Sequence, residues 1–361
     1  MFVLRLQEHP VPVGSEDPDI LLAWILDTMG LVRRRNFSDE IVSTRGSIHA
    51  LMRNHLLVEP LRGWDSQSLI DASGISSTAL HHQLVKLRSC GLLSTVTEGR
   101  WKRHVIRNGS LSAAIDLISA QAEIILKQRM SILDNVISTS ETRMINDPLQ
   151  LGGEDIPFRI IISEQGPIGN EIPLESLLRD FGFTGDRGKE DDDLCLKVFT
   201  SLGNAEIPLT TDSLMNETNE SRTRVLGILE RLRSALIVER VLFEDRISHN
   251  VFIGLTHQWA QRGEKWIRGR GGLGRIEQQV ADQIVSELKQ EKLTTESISK
   301  HLDGMDTEVK CLLVNTLGGR VPYGYRLTGK DANAIVSRLL SRVQRILERL
   351  RMISKKYDEI I

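Results

Sequence analysis

The stretch SSTALHHQLVKLRSCGLL, beginning at Ser76, places two hydroxyls, two imidazoles and an ammonium in close succession: Ser77, Thr78, His81, His82 and Lys86. A few residues on, TEGRWKRHVIR carries Arg100, Lys102 and Arg103, with His104 and Arg107 on the same segment. Hydroxyl, imidazole and amino groups donate hydrogen bonds to base edges, and clustered guanidinium and ammonium groups neutralise phosphates. The chemistry offered is recognition of a polyanion rather than bond-making. The chain contains no HExxH, no nucleophile elbow and no paired-thiol motif with zinc-ligand spacing, so no catalytic residue, no metal and no cofactor is expected. GRGGLG, within the basic stretch WAQRGEKWIRGRGGLGR, follows no strand and lacks the Lys-Ser/Thr of a phosphate loop; it reads as a tight glycine turn between helices. Trp259 and Trp266, seven residues apart ahead of it, read as core anchors.

The elements that must hold these groups follow from local signals. Leu80, Leu84 and Leu87 return to one azimuth of a helix, leaving Thr78, His82, Val85 and Ser89 on the opposite side. Ser76 is its N-cap and Gly91 its stop, while Asp65 and Gly74 bracket a shorter helix before it. Upstream, Thr44 to Leu57 has helical spacing, and downstream LLSTVTEGRWKRHVIR alternates and turns at Glu98-Gly99. Helix, helix, helix and a two-stranded hairpin in this order make a winged helix-turn-helix, with the third helix free for a groove and the hairpin beside it.

The pattern is written twice. SRTRVLGILERLRSALIV begins at Ser221, and subtracting the start positions (221 minus 76) gives an offset of 145 residues, at which Leu84, Leu87 and Arg88 fall on Leu229, Leu232 and Arg233. LCLKVFTSL and TTDSLMNET supply the preceding helices of the second copy, and IVERVLFEDRISHNVFIGL reads as its hairpin, with Glu244-Asp245-Arg246 at the tip. Its outward side offers Arg222 and Arg224, but acids at the tip repel phosphate. The first copy is therefore the main DNA reader, and the second is a weaker reader or a protein contact.

The helix and wing motifs of residues 44–140 resemble the ArsR-type winged-helix transcription regulators: a Ser cap, paired His, Leu, Lys, Leu-Arg and Gly-Leu, followed by a Glu-Gly-Arg wing. The resemblance implies a DNA-binding regulator. The helix from Ser66 to Ser73 has no cysteine, so the Cys-rich metal site of the family's metal sensors is missing.

The net charge of -2 conceals uneven stretches. Asp147 to Asp193 holds twelve acids and four bases, Arg320 to Lys356 ten bases and two acids, and Arg45 to Arg107 nine bases and four acids. Such separation suits a polyanionic partner for the basic parts. GSLSAAIDLISAQAEIILKQRMSILDNVIS, after the first wing, carries Leu111, Ile115, Ile118, Ala122 and Ile125 at helical spacing, which suits either dimerisation or packing on the chain's own second domain; dimerisation is favoured. FRIIISEQGP reads as a strand. In the C-terminal helix Val336, Leu340, Val343, Leu347 and Leu350 form an apolar seam, beside a stripe of Arg338, Arg342, Arg345 and Arg349 left open between DNA, the acidic linker and solvent.

The expected fold is mainly α with small β-hairpin wings: tandem winged helix-turn-helix domains joined by a long helix, plus a C-terminal helical region. The divisions are 1–43, an N-terminal helical extension; 44–109, the first winged helix; 110–146, a linking or dimerisation helix; 147–190, an acidic linker with a short strand; 191–256, the second winged helix; and 257–361, a helical region with a basic amphipathic helix. Three scattered cysteines, and no run of ~20 apolar residues, suit a cytoplasmic protein that avoids membranes. The expected partners are double-stranded DNA, a second copy in a homodimer and a possible protein on the second winged helix. The competing class is a tandem winged-helix protein-interaction scaffold of a chromosome or transcription assembly.

Overall fold

A computed structural model describes residues 1–32, 47–141, 156–167, 170, 172–185 and 193–361. The chain is mainly helical with three small antiparallel two-stranded sheets among the described residues. No helix among them is long and apolar enough to cross a membrane.

The first half runs β1 (Val3–Gln7), α1 (Pro18–Thr28), α2 (Ser47–Leu51, continuing as a π turn through Leu56), α3 (Ser66–Ser73), α4 (Ser77–Ser89), β2 (Leu93–Glu98), β3 (Trp101–Ile106) and α5 (Leu111–Met130). The second half repeats the order: β4 (Arg159–Ser163), α6 (Pro173–Asp180), α7 (Leu194–Asn204), α8 (Thr211–Thr218), α9 (Arg222–Ser234) and β5 (Val238–Leu242). Then come α10 (Glu244–Arg268), α11 (Gln278–Lys289), α12 (Thr295–His301) and α13 (Thr307–Thr316), before β6 (Tyr323–Leu327) and α14 (Ala332–Ile360).

Local hydrogen bonding shows how closely the halves correspond. Asp65 and Thr210 cap their helices through the amides of Ser68 and Ser213. Gly74 and Asn219 close those helices in the left-handed conformation, which only Gly and, at small cost, Asn adopt readily. At the end of α4, the amides of Cys90, Gly91 and Leu92 reach back to the carbonyls of Lys86, Arg88 and Leu87; Ala235, Leu236 and Ile237 do the same to Arg231, Arg233 and Leu232. Trp64 bridges to His104 in one half, and Leu209 to Tyr325 in the other.

The two halves meet like to like. β1 pairs with β4 antiparallel so that their middle residues, Arg5 and Ile161, face each other, and α5 packs along α14, each being the helix that follows its hairpin. Pairing of equivalent elements is the signature of an approximate two-fold. Gly30 and Gly182, at φ +62° and +78°, end α1 and α6 so close to the central sheet that an added Cβ would lie 2.7 Å from Cβ of Arg5 and 2.6 Å from Cδ1 of Ile161.

Several expectations are corrected here. The second hairpin does not continue past Leu242: Glu244, Asp245 and Arg246 begin α10, and the strand that completes the pair is β6, from Val238↔Leu327 to Leu242↔Tyr323. Acids suit the positive end of a helix, and Ile247, Val251 and Leu255 recur every four residues and are all buried, a helical rather than a strand period. The second unit thus extends beyond 256, with residues 243–322 inserted in its hairpin. The insert has its own core, including Val251, Ile284, Ile298 and Val314, and Trp259 and Trp266 pack against it.

The insert also contains two short helices joined by a turn, α12 and α13, whose ends repeat local features of the earlier helices. Thr294 caps α12 with a capping box to Ser297, Gly304 turns at φ +72°, and the amides of Leu317, Gly318 and Gly319 repeat the closing pattern of α4 on the carbonyls of Leu313, Asn315 and Val314.

The seam assigned to dimerisation is occupied within the chain: Leu111, Ile115, Ile118 and Ala122 are fully buried, with α14 as the main partner. On α14, Arg342 and Arg349 pair with Glu8, and Arg338 with Glu239, so most of its arginine stripe serves internal pairing. The described parts of 147–190 form β4 and α6, whose Ile160, Ile162, Leu174 and Leu178 join the main core rather than a linker. Likewise β1 and α1 of the N-terminal 1–43 are core elements. Thr44 to Gly46, residues 33–43 and most of the acidic run before Asp193 lie outside the described residues.

Candidate nucleic-acid interface

Helix α4 is anchored by burial of Leu80, Leu84 and Leu87 and by Ser76, whose hydroxyl accepts from the Ala79 amide at 3.4 Å. Lys86 and Arg88 sit in its last turn, where cations offset the negative helix end. Cys90 follows, 2 % exposed; burial pushes its thiol up to about 12, which favours the protonated form. With the apolar side fixed, Ser77, Thr78, His81, His82 and Lys86 are all exposed. The rings of His81 and His82 stand edge to face, 6.2 Å apart. Before α4, Asp65 holds the start of α3; hydrogen bonds from the Ser68 hydroxyl and amide keep its carboxyl below the usual range.

The β2–β3 hairpin pairs from Leu93↔Ile106 out to Glu98↔Trp101. Its inner end is buried, and Thr95 to Lys102 project into solvent around Gly99, at φ +60°. Strand alternation separates the basic residues. Arg100 and Lys102 are exposed, whereas Arg103 is half-buried, pairs with Glu98 at 2.8 Å and donates to the Gly63 carbonyl.

His104 does not belong to the cationic surface. It is 5 % exposed, between the hydroxyls of Ser66 (3.4 Å) and Thr95 (3.3 Å). Burial, helped by the nearby Arg88, lowers its pKa. Arg107 also turns inward and donates to Gln121. Since the unfolded chain protonates this imidazole more readily than the folded one, His104's contribution to stability is complete above the ordinary histidine pKa and is lost as pH falls through the lowered folded value. Thermal melts from about pH 8 to about pH 5 should show this loss, and His104→Gln should flatten that part of the profile. An unchanged profile would place the titration elsewhere.

Trp101 is a candidate site residue the sequence reading passed over. It is 52 % exposed at the hairpin tip, with the Arg100 guanidinium 5.1 Å from its ring centre. The signal was an aromatic between bases in GRWKR, the combination that stacks on bases or sugars while tracking phosphate.

The second unit is electrically quieter. Arg222 pairs with Asp212 at 2.9 Å, Arg224 with Glu220, and Arg233 with Glu230 at 2.7 Å. Arg231 donates to the carbonyls of Phe183 (2.6 Å) and Thr184 (3.1 Å). Thus α4 and its hairpin bring Ser77, Thr78, His81, His82, Lys86, Arg100 and Lys102 to one exposed unit, while Arg222 and Arg224 lie on another helix with carboxylate partners. Among the described residues no three His, Cys, Asp or Glu side chains converge as a metal set would. Comparison of the chain with protein-family models, with curated proteins and with solved structures finds no match.

Proposed function

We propose that the chain is a sequence-selective, double-stranded DNA-binding transcription regulator that reads DNA through a winged helix-turn-helix made of α3, α4 and the β2–β3 hairpin. The observation that carries this reading is the outward polar side of α4 next in the fold to a hairpin whose tip carries Arg100, Trp101 and Lys102. In this reading Thr78, His81, His82 and Lys86 meet base edges in the major groove and the hairpin grips backbone. The resemblance of this unit to ArsR-type regulators points the same way. Pairing of α5 with α14 supplies inside one chain the two-fold arrangement for which a single-module regulator would need a second copy.

A second reading has its own observation. The cations of α9 are paired internally and the second hairpin is opened by a helical insert, which favours a protein partner there and, if general, an interaction scaffold in a chromosome or transcription assembly.

Anisotropy titrations of random-sequence duplexes against salt test the main reading. With Lys86, Arg100, Lys102 and part of Arg103 engaged, log affinity should fall with log salt with a slope of roughly -3. A flat dependence would remove DNA as the partner and leave the scaffold reading. Selection from the same random pool should then enrich a defined sequence.

A further inference from the structure

The approximate two-fold exposes one place where the halves differ. In the second half Arg231 of α9 reaches the carbonyls of Phe183 and Thr184, just past the end of α6, and its guanidinium lies 3.0 Å from where a Cβ on Gly185 would sit. The residue at the same position of α4 (231 minus 145) is Lys86, and it makes no such contact. Instead the corresponding space, between α4, the end of α1 and the outer face of the β1–β4 sheet, is a groove of about 750 Å³. That volume lies within the range of small-molecule sites.

Its lining is chemically specific. Strand alternation sends Leu4, Leu6, Ile160 and Ile162 into the core and leaves Arg5 and Arg159 on the outer face, looking into the groove. Lys86 enters from α4, and none of these three cations has an ion-pair partner among the described residues. The only carboxylate among the described lining residues, Asp27, is 2 % exposed, so the accessible charge is positive. Met29, Leu31 and Val85 add apolar wall between the cations. Gly30 holds the end of α1 against β1 with no room for a side chain, so two walls of the groove are fixed to each other.

We propose that this groove is a binding site for a small organic anion, one carrying a carboxylate, sulfonate or phosphate on an apolar body, which Arg5 and Arg159 hold by charge-assisted hydrogen bonds. Its occupant would lie against Val85, Lys86 and Ser89 of α4. The position therefore couples the site to whatever α4 contacts, and under the DNA reading the ligand would be an effector of DNA binding; only that consequence rests on the proposed function.

Anilinonaphthalene sulfonate, an aromatic sulfonate whose fluorescence rises in apolar surroundings, is a suitable probe for the full-length protein. It should bind saturably at one site per chain. Arg5→Gln combined with Arg159→Gln should weaken it about tenfold or more, since two charge-assisted contacts are lost, with circular dichroism and melting temperature unchanged. Arg270→Gln with Arg275→Gln, an equal charge change on exposed residues of the insert, should leave probe binding as it was. Non-saturable enhancement, equal binding by the groove variant, or equal weakening by the control variant would each overturn the proposal. Duplex titration of the groove variant separates a small-molecule site from an extended phosphate track: an unchanged salt slope supports the former, and a slope reduced by nearly 2 refutes it. The probe arm requires no DNA and judges the site even if the DNA reading fails.

Discussion

Replacing Arg100 and Lys102 together with glutamine is expected to weaken binding to every duplex sequence by roughly 60-fold at about 0.1 M salt and to reduce the salt slope by nearly 2. The size follows from counterion release: each neutralised phosphate contributes about 0.9 to the slope, a factor of about 8 at that salt concentration. Both side chains are exposed at the tip of a hairpin whose inner end is buried, so the loss is electrostatic and the fold should be unaffected. Adding Arg103→Gln should contribute less than either, because Glu98 already neutralises that guanidinium. Anisotropy titrations across salt, with melting curves as a control, measure all of this. Equal affinity of the double variant and the parent would mean that the hairpin does not touch the backbone.

Truncating Ile118 or Leu347 to alanine should lower the free energy of unfolding by about 2–5 kcal/mol each, the range for large-to-small changes in a closed core. Both side chains are fully buried, one on each of the two helices that join the halves. Had the α5 seam been free for a second copy, Ile118→Ala would expose little new cavity and would cost well under 1 kcal/mol in the monomer, as surface changes do. Val85→Ala, on the exposed side of α4, is the matched control and should stay within about 0.5 kcal/mol. Urea denaturation of the three variants decides between a seam closed inside the chain and one open to another molecule.

What could be read without coordinates was local. Ser76, Asp65, Gly74 and Gly91 act through hydrogen bonds and backbone angles within a few residues of themselves, so α3, α4 and their ends were legible, as was the turn at Gly99. The leucine period of α4 likewise fixed which side faces water, since 3.6 residues per turn leaves only one opposite face. Hence the exposed set from Ser77 to Lys86 was named from spacing alone, and Arg100 and Lys102 with it.

Tertiary structure decided every question of partner. An apolar stripe requires burial but does not say against what, so the seam of α5 could not distinguish α14 from a second copy. A strand needs a neighbour without naming it; β5 found β6 across the whole insert, since Val238 to Leu242 and the Tyr323 to Leu327 strand that pairs with it lie far apart in sequence. Charge behaved in the same way. The stripe of Arg338 and Arg342 was left open between DNA, the acidic linker and solvent until the fold brought Glu239 and Glu8 to it, and His104 read as part of a basic strand until packing against Ser66 and Thr95 withdrew it from solvent. Short-range hydrogen bonds and periodicity are encoded by neighbours in the chain; pairing, burial and neutralisation depend on neighbours in space, which only the closed two-fold arrangement of the two halves supplies.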